Sequence, residues 1–364
     1  MMLQRTHSEA AHILTFAQHL RGGGVERAML RMASGWLAHG RRVTLVLGVR
    51  EGPLTAEISE GLDVIELGDP RYVAMAKVIG HVRAQAPDLV FCPGNFYTSI
   101  AALIRLRLGR ATPPMVAKVS NALVRPELSP GAAWRYRRWL RLHPLFLDHV
   151  VAMTPAMAAE AIAEMRMPAE RVSVIANPPA APIAAAEPIA IPEGRYLIGV
   201  GRLEPQKRWD RLIAALPRLA DREIKLLLLG EGSTRAALEG QVRALGLAGR
   251  VLMPGHSGDP LPAIEGAAAA VLTSDYEGVP GVLREALSVG TPVVSTDSSV
   301  AVREIVATPA LGSVVAREDA DALVAALDHW LAPGAIRPAP VVTTGDPIGE
   351  YLALFDRLVA QRRQ

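Results

Sequence analysis

A chain of 364 residues, half of them hydrophobic, can bury two ordinary α/β cores and is too apolar for a disordered protein. The single cysteine, Cys92, excludes internal disulfides and any cysteine-based zinc site. The formal charge of +3 is unevenly spread: 21 Arg and Lys face 14 Asp and Glu through Ala180, and 18 face 22 beyond it. The basic first half is expected to meet something anionic, and no nucleic-acid motif accompanies the charge.

The first twenty residues lack a basic stretch followed by an apolar core, so no signal peptide is expected and a cytoplasmic location is the simple reading. Short aliphatic or β-branched runs then alternate with helical patterns: 11–17, 42–48, 63–67, 88–92, 115–119, 150–153 and 171–175. That alternation reads as βα units on a parallel sheet. Residues Asn177–Gly194 carry five prolines and mark a boundary. The pattern restarts at 195–200 and continues at 225–229, 250–253, 269–273, 292–295 and 313–315. None of these runs is long enough to span a membrane.

The expected fold class is α/β, with two Rossmann-like doubly wound parallel-sheet domains facing each other across a cleft. The expected organisation is a first Rossmann-like domain over 1–178, a linker over 179–194 and a second Rossmann-like domain over 195–345. A last helix over 346–364 follows.

The most informative stretch is Ser274–Thr296, SDYEGVPGVLREALSVGTPVVST. Glu277 and Glu285 bracket seven residues that include Gly278, Val279, Pro280 and Gly281. Pro280 suits the first helical position, which puts Glu277 in the preceding loop and Glu285 on the second turn. The amides at that helix start make an anion site. Carboxylates on both sides of a phosphate-sized hole fit a ligand with hydroxyls at its ends and phosphates between them.

This segment resembles the E-x7-E signature of the retaining family 4 glycosyltransferases, which have the GT-B fold. GRLEPQKRWDRLIAAL at Gly201–Leu216 and GGGVERAMLRMA at Gly22–Ala33 resemble two further blocks of that family, so the resemblance covers nearly the whole chain. It implies that Arg202 and Lys207 neutralise a leaving nucleoside diphosphate, and that Glu277 holds hydroxyls of the transferred sugar. Glu285 would hold the ribose. Gly201, Gly278, Val279 and Pro280 would give close backbone approach, and Gly230, Gly255 and His256 would wall the nucleotide. Gly23 and Gly24 match the glycine loop before the first helix, while the role of Glu26 stays open. The last helix is expected to pack back on the first domain.

The implied function is retaining transfer of a sugar to a glycan or lipid-linked acceptor in surface polysaccharide or glycolipid assembly. A UDP-sugar is the favoured donor and GDP-mannose the second choice. The alternatives are a catalytically silent scaffold subunit and a nucleotide-sugar epimerase. No cofactor is expected beyond the donor substrate, and no metal: the one D-x-D match, Asp319–Asp321, reads as helix-capping material.

Two departures from the family are visible. Ser120–Asn121 stands where many members have a histidine, and the segment Ser298–Glu304 lacks the usual glycine, so Glu304 is read as structural. The segment Ala132–Phe146 interleaves Trp134, Tyr136 and Trp139 with Arg135, Arg137, Arg138 and Arg141. It is either an interfacial surface at the inner membrane face, favouring a lipid-linked acceptor, or an ordinary arginine-rich helix with its aromatics in the core.

Overall fold

Two parallel sheets, each wound in both directions from a central strand, organise the chain. The computed structural model describes residues 9–21, 23–125, 128–178, 189–341 and 345–363. Most of the expected linker, residues 179–188, and Gly22 of the glycine loop lie outside the described residues.

The first unit carries β1 (His12–Ala17), α1 (Gly24–Ala38), β2 (Arg42–Leu47), β3 (Asp63–Glu66), α2 (Val78–Gln85), β4 (Leu89–Cys92) and α3 (Thr98–Leu108). It continues through β5 (Met115–Lys118), α4 (Pro130–Leu140), β6 (His149–Ala152), α5 (Pro155–Met165) and β7 (Val172–Val174). Its strand order is β3-β2-β1-β4-β5-β6-β7, and every pairing is parallel. β1, β4, β5 and β6 are buried along their whole length, as a parallel sheet covered on both faces requires.

The second unit carries β8 (Tyr196–Val200), α6 (Trp209–Ala215), β9 (Lys225–Leu229), α7 (Arg235–Ala244), β10 (Val251–Gly255) and α8 (Leu261–Gly266). Next come β11 (Ala269–Leu272), α9 (Gly281–Ser288), β12 (Val293–Thr296), α10 (Val300–Ile305), β13 (Gly312–Val315) and α11 (Ala320–Leu331). The order is β10-β9-β8-β11-β12-β13, again all parallel. The aliphatic run at 226–229 and Trp209 centre its core.

The last helix, α12 (Pro347–Arg363), belongs to the first unit, which comprises residues 1–178 and 345–364. Tyr351 and Phe355 enter a ring cluster with Trp36 and Phe91, the Trp36–Phe355 and Trp36–Phe91 centroids lying 5.2 Å apart. Edge-to-face pairs of this kind add to the area they bury. Asp356 fixes the helix further: it accepts the Ala10 amide at 2.8 Å and pairs with Arg41 at 2.8 Å.

A sheet that winds both ways has one switch point, where loops leave neighbouring strands in opposite directions and open a crevice at the carboxyl edge. In the first sheet it lies between β1 and β4, and in the second between β8 and β11.

Candidate active site

The loops after β8 and β11 carry the residues singled out from sequence. Leaving β8, the chain runs through Gly201 and the exposed Arg202 into a single 3-10 turn, Pro205–Lys207. Leaving β11, it runs through Thr273 and Ser274 to Glu277.

The two loops are stitched by main-chain and side-chain bonds. The Asp275 amide donates to Gln206 O at 2.9 Å, and Gln206 Nε2 donates to Tyr276 O at 2.6 Å. Thr273 Oγ1 donates to Arg208 O at 2.8 Å. Asp275 then accepts Arg211 at 2.7 Å.

At the centre, Lys207 Nζ donates to Glu277 Oε1 at 2.6 Å, and Ser274 Oγ donates to the same oxygen at 2.6 Å. Both charges are largely withdrawn from water. A pair so placed is strongly oriented, because desolvation makes any loosening expensive. No described residue hydrogen-bonds Glu277 Oε2, so that oxygen stays available to a ligand hydroxyl. The Arg202 guanidinium makes no hydrogen bond or close ion pair among the described residues, although its charge acts on the nearby Glu204, and its carbonyl accepts the Trp209 indole at 3.1 Å.

Beyond Glu277 the buried Gly278 and Pro280 and the half-buried Val279 lead into α9. Pro280 is not the first helical residue, as the sequence pattern implies, but the residue before it: its ψ of 102 is extended, and Gly281 opens the helix. No side chain caps that start, so its first amides remain open to an anion. Glu285 lies half-buried on the same helix, one turn on. Ser299 Oγ ties Gly278 O down at 2.7 Å, and the Glu277 amide donates to Ser298 O at 2.9 Å.

The three turns after β8, β9 and β10 form a wall. A Cβ on Gly230 would lie 2.0 Å from Gly201 O, so only glycine permits this approach. The Gly230 amide donates to Gly255 O at 2.8 Å, and His256 beyond it is exposed. Two buried hydroxyls on this edge, Ser257 Oγ and Ser298 Oγ, have no hydrogen-bond partner among the described residues.

Asp319 caps α11, accepting the Ala322 amide at 2.8 Å, and Asp321 pairs with Arg218. Glu304 sits close enough to Arg284 for its charge to oppose the lowering of the guanidinium pKa by burial.

At the switch point of the first sheet, Gly23 precedes α1 and Gly24 opens it. A Cβ on Gly23 would fall 2.4 Å from Glu26 Oε2, so the Glu26 carboxylate folds back over the loop. After β4, Asn95 Oδ1 accepts the Ser120 amide at 2.7 Å and Asn95 Nδ2 donates to Asn121 O at 2.9 Å. Asn121 Oδ1 accepts the Ala122 amide, so this side chain shapes its own turn where a histidine is common. Beside it Lys118 is fully buried, with Nζ donating to Asn177 Oδ1 at 3.1 Å. Burial pushes its pKa down to about 8, against the pull of Glu26.

Sequence reading missed Ser274, Gln206, Asp275 and Lys118. Ser274 and Asp275 stand inside the informative stretch, but nothing in a linear pattern shows which oxygen a serine will reach. Lys118 carried a faint signal, being one of only four lysines.

In α4 the aromatics divide between the two readings. Trp134 is exposed and carries Arg138 over its ring at 5.5 Å, whereas Trp139 turns inward and stacks on Phe146 at 5.6 Å.

Comparison with known proteins follows the same division into units. The family model for glycosyl transferases group 1 matches residues 185–337, and the model for a glycosyl transferase 4-like domain matches residues 23–178. The Campylobacter jejuni N-acetylgalactosamine-N,N'-diacetylbacillosaminyl-diphospho-undecaprenol 4-alpha-N-acetylgalactosaminyltransferase is 30% identical over 155 residues, 43% of this chain and 42% of that protein. The phosphatidyl-myo-inositol mannosyltransferase of Mycolicibacterium smegmatis is 32% identical over 165 residues, 44% of this chain and 42% of its own. These matches therefore span under half of each relative's length.

Among solved structures, the lipopolysaccharide outer core galactosyltransferase WaaB superposes with a TM-score of 0.65 at 20% identity, over 97% of this chain and 98% of its own. HepE from Anabaena, in complex with UDP and glucose, gives 0.69 at 19% identity, over 96% and 94%. With one model on each unit and the fold matched over nearly the whole chain, the chain belongs to the family 4 glycosyltransferases of the GT-B fold.

Proposed function

We propose that the chain is a retaining, metal-independent glycosyltransferase that moves a sugar from a nucleotide donor to a glycan or lipid-linked acceptor. The observation that carries this reading is the Lys207–Glu277 pair, held by Ser274 at the switch point beside an uncapped helix start. UDP is the favoured nucleotide, as in the HepE complex. A lipid-linked acceptor accords with the undecaprenol and phosphatidylinositol compounds in the two relatives' names.

In this reading the amides opening α9, Arg202 and Lys207 receive the diphosphate. Arg202 and Lys207 oppose the charge that grows on its oxygens as the bond to the anomeric carbon breaks. Glu277 Oε2 accepts a sugar hydroxyl and Glu285 the ribose hydroxyls. The acceptor hydroxyl attacks the anomeric carbon on the face the phosphate leaves, and its proton passes to the departing phosphate oxygen. No protein base is then required, consistent with Ser120–Asn121 in place of histidine.

The test is release of nucleoside diphosphate from a panel of nucleotide-sugars by the wild type and Glu277→Gln. Release from one donor, lost in the variant, supports transfer. Tight nucleotide binding without turnover of any donor in the presence of acceptor lipids favours the silent scaffold.

A further inference from the structure

Arg208, the residue between Lys207 and α6, holds its backbone in the left-handed region, with φ of 49° and ψ of 43°. Among the described residues only Ala86 and Arg166 share that conformation without being glycine. Both of those end an α-helix, where a left-handed residue is ordinary. Arg208 instead joins the 3-10 turn that carries Lys207 to the helix that follows it. In this region a Cβ crowds the following carbonyl oxygen, and the conformation persists only where its surroundings impose it.

Three segments impose it. From α6, Asp210 takes the Arg208 guanidinium on both oxygens, Nε at 3.0 Å and Nη2 at 3.1 Å. From the loop after β11, both Asp275 oxygens lie 3.4 Å from Arg208 Nη1. Thr273 Oγ1 on the same loop shares its hydrogen between Arg208 O at 2.8 Å and Lys207 O at 3.1 Å. From the 3-10 turn itself, Pro205 O accepts the Arg208 amide at 3.3 Å. Asp275 is fixed in its turn. Its amide donates to Gln206 O at 2.9 Å, its carbonyl accepts Arg317 Nη1 at 2.9 Å, and its carboxylate accepts Arg211 at 2.7 Å.

The bend acts on the residues to either side of it. A Cβ on Gly201 would lie 3.2 Å from Lys207 Cε and 3.4 Å from Trp209 Cζ2, so both side chains cross the same glycine. Trp209 ends in the core of the unit, and Lys207 ends on Glu277. With two carboxylates on it, the Arg208 guanidinium is committed within the fold, and its contribution is to geometry rather than to the charge met by a ligand.

We propose that Arg208 is a positioning residue: its clamped, left-handed backbone sets the direction in which Lys207 leaves the turn and so holds Lys207 on Glu277. The placing of Lys207 stands on the geometry of this unit alone, and its consequence for turnover rests on the transferase reading.

The test compares Arg208→Ala with Arg208→Gly. Both remove the guanidinium, but only glycine takes the left-handed conformation without steric cost. Lys207 is read directly by the rate at which acetic anhydride modifies its amine, resolved by mass spectrometry from the other three lysines. Arg208→Ala should raise that rate severalfold. It should also lower kcat for the preferred nucleotide-sugar by up to about 100-fold, as a misplaced catalytic group does, with a smaller effect on the donor KM. Arg208→Gly should restore the shielding of Lys207 and most of the turnover, and should unfold at a higher temperature than Arg208→Ala. Equal labelling of Lys207 in all three proteins, or full turnover by Arg208→Ala, overturns the proposal. So does equal impairment of the two variants, which assigns the contribution to the guanidinium charge. Labelling that follows the prediction in a protein that turns over no nucleotide-sugar upholds the placing of Lys207 and sinks the transferase reading alone.

Discussion

Lys207 and Glu277, seventy positions apart, meet at 2.6 Å with side chains only 14% and 10% exposed. Neither β8 nor β11 alone could bring them together; the reversal of strand order between those neighbours does. Replacing Lys207 with Ala strands a shielded carboxylate and removes a cation from the proposed diphosphate position. Loss of one preorganised electrostatic group lowers kcat by roughly 100- to 1,000-fold. The check is steady-state turnover of the preferred nucleotide-sugar, alongside circular dichroism to show that the fold persists.

Ser274 aims Glu277 rather than touching the donor in the proposed arrangement. Ser274→Ala therefore removes one hydrogen bond to a charged group, an effect of about 1.5–3 kcal/mol. It should reduce kcat more than it raises KM for the nucleotide-sugar, and Ser274→Thr, which restores a hydroxyl, should recover part of the loss.

Glu285 is half-buried and is not among the core residues of α9, which are Leu283, Ala286 and Leu287, so Glu285→Ala should leave the unfolding midpoint nearly unchanged. Nucleoside affinity should fall by roughly tenfold, the loss of about one good hydrogen bond to a charged group. Calorimetric titration of the wild type and variant with the same nucleoside diphosphate measures it.

The first unit should be acid-labile. His143, whose Nδ1 faces the Leu140 carbonyl at 2.9 Å, and His149, whose Nε2 lies 2.9 Å from Ser173 Oγ, are both held neutral by burial. Their pKa values are pushed down to about 4, in His149 with help from Arg357 and Arg171. An unfolded chain binds protons at these groups near pH 6.5, so between about 6.5 and 4 it holds more protons than the native state. Stability is therefore complete above that window and declines as pH falls through it. Thermal unfolding from pH 7.5 to 4.5 should show the decline, and His149→Gln should flatten it.

The sheets were legible because their strands are continuous aliphatic runs: LVFC at 89–92 or KLLLL at 225–229 has no other home than a strand covered on both faces. Motif spacing marked the loops after β8 and β11, because glycines and prolines advertise turns. What stayed hidden depends on three-dimensional closeness. Asp275 reads as one more loop carboxylate until Arg211 and the Gln206 carbonyl arrive to hold it. Pro280 looked like a first helical residue because proline is common there, but tying down Gly278 O and the Glu277 amide keeps Pro280 extended and moves the helix start to Gly281. The ring cluster of Trp36, Phe91 and Phe355 brings Phe355 to partners that lie hundreds of positions earlier in the chain.

The central claim is that the β8–β11 switch point binds a nucleoside diphosphate through Lys207. Thermal unfolding with UDP, GDP and ADP, each in the presence of a chelator, tests it directly. A nucleotide at about a hundred times its Kd adds roughly 2.7 kcal/mol, or about 5–10 °C in Tm for a unit of this size. The expected result is such a rise with one nucleotide, UDP first among them, that disappears in Lys207→Ala. No rise with any of the three, or a rise that survives Lys207→Ala undiminished, would contradict the claim.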